Sequence, residues 1–523
     1  MKTLIIFQST QSVQNFLKDS DPISLNNVHY LICNSDSKYL LEKVITEKKI
    51  FDFDELLHNV NFEKLFNQSI ETADSICSEL DTQFSSKISV SLGIKKIKFF
   101  HTIYPYSSSY RQFHFYLWET VLTKLRSSIQ YHEIILYPGQ AIYEPYFSLP
   151  CYLDHYCSLN NTTFLLKQPL QTKMFYKKAN EITKRIKIMS LFKIQGFFFR
   201  LLDTSYNHSL NKIKNKFSKI KFSLVLSGRS KYKFHLPELN NYIEYNQFFK
   251  SKHIKKAKHK IALLQLDNLI KLNAELPLLK KTILEDFQNN HQSYLAPLIA
   301  LSHSSQKNRI SSVIWGLPLI FEPEKNLLLD YFFNTNIPVI GRQHGCSYVS
   351  QINPLHFHSD FNRCNKFYSY GFEEKEFRSA YPAQKPFCKI IPKKQIMMSK
   401  PRMNASAVDI IFPIANSKTE FLYEQKKIIQ SLIARPDLKI IIKPVAAFNK
   451  FFDFKNLIKD YQHIKLVENV NFNEMLKIYK TNLFVFEVPS TTFDECLSLD
   501  VDIFLRSSRL FKFSPVAHSM IEK

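Results

Sequence analysis

Glycine is scarce in this chain, with only 8 among 523 residues. The sequence contains no G-x-G-x-x-G fingerprint, no phosphate loop ending in Gly-Lys-Ser/Thr and no G-x-S-x-G nucleophile elbow. These absences exclude the glycine-dependent dinucleotide sites, the P-loop NTPases and the hydrolases that use a G-x-S-x-G nucleophile elbow. Half of the glycines fall in one stretch, which indicates tight turns or a close approach of the backbone to a ligand: Gly316, Gly341, Gly345 and Gly371.

Cysteine pairs and long apolar runs are also missing. The 8 cysteines are scattered without a C-x-x-C pair, so the sequence predicts neither a zinc site nor a disulfide framework. No stretch reaches the ~18 apolar residues of a transmembrane helix, and the run at residues 4–7 is too short for a signal peptide. We therefore expect a cytoplasmic protein with reduced thiols.

Positive charge is in excess. Lys and Arg number 70 against 46 Asp and Glu, which gives a formal net charge of +24. Such an excess favours phosphate-rich partners, namely nucleic acid, anionic lipid or nucleotide-linked substrates. A genome bias toward Lys and Asn codons explains the same composition equally well. A hydrophobic content of 45% with 14% aromatics predicts a folded protein of two or three domains.

Short apolar runs alternate with amphipathic stretches, which predicts an α/β fold with parallel sheets. The alternation breaks at about 165–275, where we expect a helical basic insertion. Its part 173–221 either lies on an anionic membrane surface or packs on the sheet with its Lys residues toward water. In the first third of the chain we expect strands at 4–7, 28–33, 98–103 and 133–137 and a helix at 113–128.

A proline-rich stretch at 379–406 is typical of a linker. It divides the chain into two Rossmann-like domains, at residues 1–395 and 396–523. In the second domain we expect parallel strands at about 408–413, 438–443, 483–488 and 501–505.

The residues after the apolar run 483–488 are the most informative for function. Pro489 ends this predicted strand, and Ser490 or Thr491 suits the N-cap of the helix that follows. Such a strand–turn–helix directs backbone N–H groups and hydroxyls to one point, which suits a phosphate. Glu495, one turn into the helix, is placed to accept hydrogen bonds from a ribose. An ordinary capped helix explains the same pattern.

Two other loops follow predicted strands. Arg342, Gln343, His344 and Gly345 come after the strand 337–340, at the kind of sheet edge where α/β proteins bind ligands. His344 suits a general base or a phosphate contact, although a lone histidine is usually structural. Lys443 ends the strand 439–442 and is either a phosphate contact or a solvated lysine.

In their order, these motifs resemble those of bacterial surface-polysaccharide glycosyltransferases of the GT-B type. The chain reads Ile-Pro-Val-Ile and Gln-His-Gly, then a strand ending in Lys-Pro, then Ser-Thr-Thr-x-x-Glu-x-Leu, and the resemblance covers residues 311–505. The pattern is shared by capsule polysaccharide transferases, Kdo and sialic acid transferases and CDP-glycerol glycerophosphotransferases. The resemblance implies two Rossmann-like domains that face one another across a cleft, with the acceptor on the N-terminal side and the nucleotide donor on the C-terminal side.

The resemblance also assigns roles to residues. It implies that Ser490, Thr491 and Thr492 hold the donor phosphates, with Glu495 on the ribose and His344 as the catalytic residue. The chain departs from the pattern in three ways. Lys443 and Pro444 stand where capsular sialyltransferases and Kdo transferases have a His-Pro pair, and the acidic-acidic-Gly motif of those enzymes has no counterpart here. Asp500-Val-Asp502 stands where the family often has Gly-x-Pro.

We therefore expect a transferase that moves a sugar from a nucleotide-linked donor to a capsule or lipopolysaccharide glycan, in the cytoplasm or on the inner face of its membrane. The alternatives are a polyol-phosphate transferase, an inactive scaffold in a glycan assembly complex, or a nucleic-acid-binding protein; no recognised nucleic-acid module appears. We expect no cofactor, since the nucleotide-sugar is the substrate. We also expect no metal, because none of the three D-x-D triplets ends an apolar strand at a convincing place: Asp19–Asp21, Asp52–Asp54 and Asp500–Asp502.

Overall fold

In the described residues, a computed structural model of the chain shows three large parallel β-sheets and one two-stranded parallel pairing, with helices packed against the large sheets. The α/β class predicted from the alternation of apolar and amphipathic stretches is confirmed. The structure describes residues 2–19, 27–33, 35–45, 49–94, 97–138, 149–167, 221–227, 242–266, 276–316, 322–343, 360–369, 371–381, 388–392, 405–414, 419–444, 455–468, 470–487, 491–496, 499–506, 513–515 and 518.

The first sheet has five strands in the order β3-β2-β1-β4-β5, all parallel. They are β1 (Thr3–Phe7), β2 (Val28–Ile32), β3 (Ile50–Asp52), β4 (Glu133–Tyr137) and β5 (Thr163–Leu166). The α-helices of this part are Thr10–Asp19, Ser35–Glu42, Phe53–Leu56, Phe62–Leu80, Ser86–Leu92, Phe99–Ile103, Pro105–Ser128 and Leu149–Leu159, with a π-helical turn at Asp81–Ser85.

The second sheet has six parallel strands in the order β11-β10-β9-β8-β6-β7. They are β6 (Phe222–Ser227), β7 (Tyr242–Glu244), β8 (Ile310–Trp315), β9 (Val339–Arg342), β10 (Lys366–Ser369) and β11 (Lys389–Pro392). The α-helices are Tyr245–Phe248, Ser251–Leu263, Leu278–Ser302, Pro323–Asn334 and Glu374–Ala380, with a 3-10 turn at Lys307–Arg309.

The third sheet has five parallel strands in the order β15-β14-β13-β17-β18, and β12 (Ser406–Ala407) pairs separately with β16 (Tyr479–Lys480). The five strands are β13 (Ile410–Ile414), β14 (Ile440–Pro444), β15 (Ile464–Leu466), β17 (Leu483–Phe486) and β18 (Asp502–Leu505). The α-helices are Thr419–Ile433, Lys455–Ile458, Phe472–Ile478 and Thr491–Cys496. The four parallel strands predicted between residues 408 and 505 are confirmed.

The first two sheets share one hydrophobic core, whereas the third has its own. The shared core runs from Leu4 on β1 to Ile390 on β11. Helices between the two sheets fill it, and polar contacts such as that between the Tyr104 hydroxyl and Asp286 Oδ2 (2.7 Å) join them. The third sheet is buried on both faces, by separate clusters, as expected for parallel strands with near-continuous apolar sequences.

Three expectations from the sequence need correction. The strand predicted at 98–103 is wrong, because Phe99–Ile103 is a helix. The linker predicted at 379–406 includes β11, an edge strand paired with β10. In the range of the expected helical insertion, 165–275, the structure describes β6 and β7 of the second sheet as well as two helices, Tyr245–Phe248 and Ser251–Leu263. The segment 173–221, apart from Lys221, lies outside the described residues.

The helix Phe99–Ile103 is stabilised by a residue from another helix. The carboxylate of Asp81 accepts hydrogen bonds from the backbone N–H groups of Phe100 and His101, both at 2.9 Å. These N–H groups lie in the first turn of the helix and have no partner within it. Across the described ranges, no helix combines the length and the apolar character needed to cross a bilayer.

Candidate functional site

The strand order of the third sheet indicates where a ligand can bind. From β13 the chain continues to β14 and β15 on one side, and β17 and β18 lie on the other side. The strand order therefore reverses between β13 and β17. In open parallel sheets the crevice at the carboxyl ends of such strands is the usual ligand site.

Lys443 lies beside this crevice, near the carboxyl end of β14, where it pairs with Pro413 of β13. Its side chain is only 4% exposed, and Nζ donates a hydrogen bond of 2.5 Å to the carbonyl oxygen of Pro444. Loss of hydration lowers the pKa of Lys443, while the nearby Glu468 favours its charged form. Of the two interpretations of Lys443, the solvated lysine is therefore wrong.

The alternation of side chains places Lys443 on a particular face of the sheet. Ile441, two residues earlier, belongs to the cluster that contains Phe493 and Cys496 of the helix Thr491–Cys496. Since side chains two residues apart point to the same face, Lys443 lies on the face that this helix covers.

The helix Thr491–Cys496 follows β17, as the sequence predicts. The ring of Phe493 packs edge-on against Phe486 at 5.4 Å between centroids, and Cys496 is fully buried, which fixes the helix against the end of its strand. Thr492 is half-buried. The turn residue Ser490 and the side chains of Thr491 and Glu495 lie outside the described part of the structure.

Two buried polar residues at the same crevice escaped the motif analysis. Glu487, directly after β17, is fully buried and accepts a hydrogen bond of 3.3 Å from Nε2 of Gln425, which is 1% exposed. Gln425 belongs to the helix Thr419–Ile433, whose Ile428 and Ile429 cover the other face of the sheet. The sequence signal was an acidic residue immediately after a Val- and Phe-rich run.

The second sheet carries the loop predicted to hold the catalytic histidine. Arg342 ends β9, and Nη1 of its side chain lies 3.7 Å from the position that a Cβ at Gly316 would take. Gln343 is 2% exposed, and its backbone N–H donates to the carbonyl oxygen of Tyr368 at 2.9 Å. His344 and Gly345 lie outside the described residues, so their expected approach to the Ser490 turn stays a prediction.

The clustered glycines have different structural reasons. A Cβ on Gly341 would lie 2.9 Å from Cδ2 of Phe367 and 3.1 Å from Cζ2 of Trp315, so packing of rings requires glycine there. Gly371 has a φ of +117°, which side-chain-bearing residues rarely adopt. Both positions serve the fold of the second sheet.

The acidic triplet at Asp52–Asp54 begins at the last residue of β3, and Asp52 has two partners within the protein. Asp52 Oδ1 accepts a hydrogen bond from the backbone N–H of Asp54 at 2.9 Å, and Oδ2 pairs with Lys426 Nζ at 2.7 Å. Within the described part of the chain, no cluster of three or more His, Cys, Asp or Glu residues has the geometry of a metal site.

Comparisons with known proteins give a structural neighbour and a family. A structural comparison finds a UDP-GlcNAc 2-epimerase from Neisseria meningitidis, solved with bound UDP-GlcNAc, at a TM-score of 0.33 and 11% identity, covering 57% of this chain and 85% of the epimerase chain. A similarity of that size carries no argument about function. No curated protein matches the sequence.

The family model of the LIC12162 family transferases matches residues 147–523. The match includes the second sheet, the third sheet and every residue of the candidate site described above. It agrees with the transferase class that the motifs predict. The chain belongs to the LIC12162 transferase family.

Proposed function

We propose that the protein is a glycosyltransferase that moves a sugar from a nucleotide-linked donor to a bacterial surface glycan, in capsule or lipopolysaccharide synthesis. The proposal rests mainly on one observation: a buried lysine with a lowered pKa, Lys443, lies beside the crevice between β13 and β17. A phosphate bound there would supply the negative charge that stabilises the buried cation.

The donor would bind at the third sheet. Lys443 would contact the phosphates together with the hydroxyls and N–H groups of Ser490, Thr491 and Thr492, and Glu495 would bind the ribose. Because the helix Thr491–Cys496 has only six residues, we assign most of the positive charge to Lys443. This charge would also stabilise the departing nucleotide, without a metal or a cofactor.

The acceptor would bind toward the second sheet, across a cleft of the GT-B type. Arg342, Gln343 and Gly345 would shape the loop, and His344 would remove the proton from the acceptor hydroxyl. The acceptor would be a glycan or a lipid-linked glycan on the inner face of the cytoplasmic membrane. A polyol-phosphate donor would use the same phosphate contacts.

Calorimetry with nucleoside diphosphates and CMP tests the donor site. Lys443→Met removes the charge but keeps most of the side chain, and should weaken nucleotide binding about 10- to 100-fold because a charged hydrogen bond is lost. Lys439→Met is the matched control, since Lys439 is exposed and directly precedes the same strand at its opposite end. Equal affinities of the two variants would contradict the donor assignment.

Turnover tests the role of His344. His344→Ala should lower the transfer rate about 10²- to 10⁴-fold, as for a lost acid–base group, with nucleotide affinity retained. Full activity of this variant would refute the catalytic assignment. A wild-type protein that binds nucleotide but transfers nothing to any glycan acceptor would identify a scaffold.

A further inference from the structure

The helix Ser251–Leu263 is strongly basic. Its sequence, SKHIKKAKHKIAL, contains five lysines and two histidines and no acidic residue. The helix belongs to the second sheet's part of the molecule, and its own apolar residues anchor it there. Ala257 and Ile261 are buried in the shared core, and Ile254 and Leu264 pack against it.

The anchoring residues recur at intervals of three and four, so the opposite side of the helix faces solvent. That side carries Lys252, Lys255, Lys256 and His259, all exposed. Leu263 continues the same line one turn further and is 69% exposed. The solvent face is therefore a row of basic side chains that ends in an exposed apolar side chain.

Within the described part of the chain, no acidic side chain forms an ion pair with the three lysines of this face, Lys252, Lys255 and Lys256. The remaining lysines of the helix lie to the side. Lys258 donates to Ser293 and lies near Glu324, and Lys260 contacts His303.

We propose that the helix Ser251–Leu263 docks the protein on an anionic membrane surface. Lipid phosphates would lie against Lys252, Lys255 and Lys256, and Leu263 would insert among the acyl chains at the headgroup boundary. The exposed leucine favours a lipid surface over nucleic acid, because a phosphate backbone offers it no apolar environment. This site differs from the segment 173–221 that the sequence indicated, and it does not depend on the transferase activity.

Sedimentation of the full-length protein with vesicles tests the proposal. Vesicles of phosphatidylglycerol and phosphatidylcholine, at a molar ratio of about 1:3, supply the negative surface potential. Each basic residue near such a surface contributes about fivefold to the partition coefficient, so the triple variant Lys252→Gln, Lys255→Gln, Lys256→Gln should bind about 100-fold more weakly. Leu263→Ser, which keeps all the lysines, should also weaken binding to these vesicles, because it removes the apolar contact with the acyl chains.

The matched control removes three exposed lysines from other helices: Lys64→Gln, Lys87→Gln, Lys375→Gln. Both triple variants lose the same net charge. If the helix Ser251–Leu263 is the docking surface, the control variant should bind the anionic vesicles much more tightly than the helix variant. Equal loss in the two variants would show general electrostatic attraction and overturn the proposal. Unchanged vesicle binding by the variant Lys252→Gln, Lys255→Gln, Lys256→Gln would also overturn it. If that variant instead loses binding to a single-stranded DNA oligonucleotide, the helix binds nucleic acid. Melting curves of all variants establish that they are folded.

Vesicle binding requires no turnover, so its result is separate from that of the donor-site experiment. Binding of the wild-type protein should also fall as salt rises, since salt screens exposed charges. Vesicles of phosphatidylcholine alone carry no net charge, so they should bind the wild-type protein and the variant Lys252→Gln, Lys255→Gln, Lys256→Gln equally weakly. Strong binding to these neutral vesicles would contradict an electrostatic dock.

Discussion

The first and third sheets have the same strand order but different chemistry at their carboxyl edges. Counted along each sheet's own sequence, both orders run third, second, first, fourth, fifth. In the first sheet, Phe7 and Tyr137 end the two central strands, and their rings lie 5.5 Å apart. In the third sheet, the corresponding edge carries the buried polar residues Lys443 and Glu487.

This difference shows that strand order provides the crevice but not its function. At the first sheet, Ser12 Oγ donates to the carbonyl oxygen of Pro138 at 2.9 Å, and the N–H of Gln8 donates to Tyr137. These neutral contacts and the aromatic rings are typical of a sheet edge whose role is packing in the core. At the third sheet, the buried Lys443 donates to the carbonyl oxygen of Pro444, and a bound anion would further offset the cost of burying its charge.

The largest expected effect concerns the aromatic cluster at the carboxyl edge of the first sheet. Phe7 is fully buried among Phe16, Tyr30 and Tyr137, so Phe7→Ala should lower the free energy of unfolding by about 3–5 kcal/mol. Phe504→Ala is the control, because Phe504 also lies in a parallel strand but is 55% exposed. Urea unfolding measures both, and nucleotide affinity of folded Phe7→Ala should equal that of the wild type. A selective loss of nucleotide binding would mean that the first sheet also holds a ligand.

The second effect concerns an ion pair that joins a helix of the third sheet to a strand of the first sheet. Lys426, from the helix that follows β13, pairs with Asp52 at the end of β3, and both side chains are largely buried at 12% and 6% exposure. Lys426→Met should lower the free energy of unfolding by about 1.5–3 kcal/mol, because the Asp52 carboxylate loses a charged donor.

Lys455→Met provides the comparison for this pair. Lys455 forms an ion pair of 3.0 Å with Glu468 but is 58% exposed, and exposed pairs contribute about 0–1 kcal/mol. Equal destabilisation by the two substitutions would show that the contact between Lys426 and Asp52 adds no stability of its own. A double-mutant cycle with Asp52→Asn separates the pair from the cap that Asp52 provides to Asp54.

Local sequence patterns predicted the strands that are continuous apolar runs, and missed features that depend on distant residues. β13, β14, β17 and β18 are rich in Ile, Phe and Val and were predicted within a few residues. The run at 98–103 looks the same in sequence, yet it is helical because Asp81 binds its first N–H groups. No local rule shows a cap supplied from another helix.

The residues of the candidate site also separate into those that local sequence patterns indicate and those that depend on distant contacts. Lys443 follows an apolar run and was singled out from the sequence, and a helix after β17 was predicted and is present at Thr491–Cys496. Gln425 and Glu487 were not, because each is unremarkable alone and they meet only when β13 and β17 become neighbours. The pair Asp52–Lys426 joins two sheets of the chain and is equally invisible in the sequence.

The smallest effect is a pH dependence that distinguishes a ligand-binding lysine from a structural one. Burial lowers the pKa of Lys443 below its usual value of 10.5. A phosphate binds the protonated form, so nucleotide affinity should fall by about tenfold as pH rises through the lowered pKa. Folding stability should change in the opposite direction. Between the folded and the unfolded pKa the unfolded chain binds more protons at this lysine, so its contribution to stability increases with pH.

Replacements of Lys443 separate these two trends. Lys443→Arg keeps a charge that does not titrate in this range, and should bind nucleotide with a flat pH profile. Lys443→Met should show neither trend, with weak binding at every pH. Calorimetry across the alkaline range measures the affinities, and urea unfolding at the same pH values measures the stability. If the wild type and Lys443→Met show the same decline of affinity with pH, another group titrates and Lys443 does not bind the phosphate.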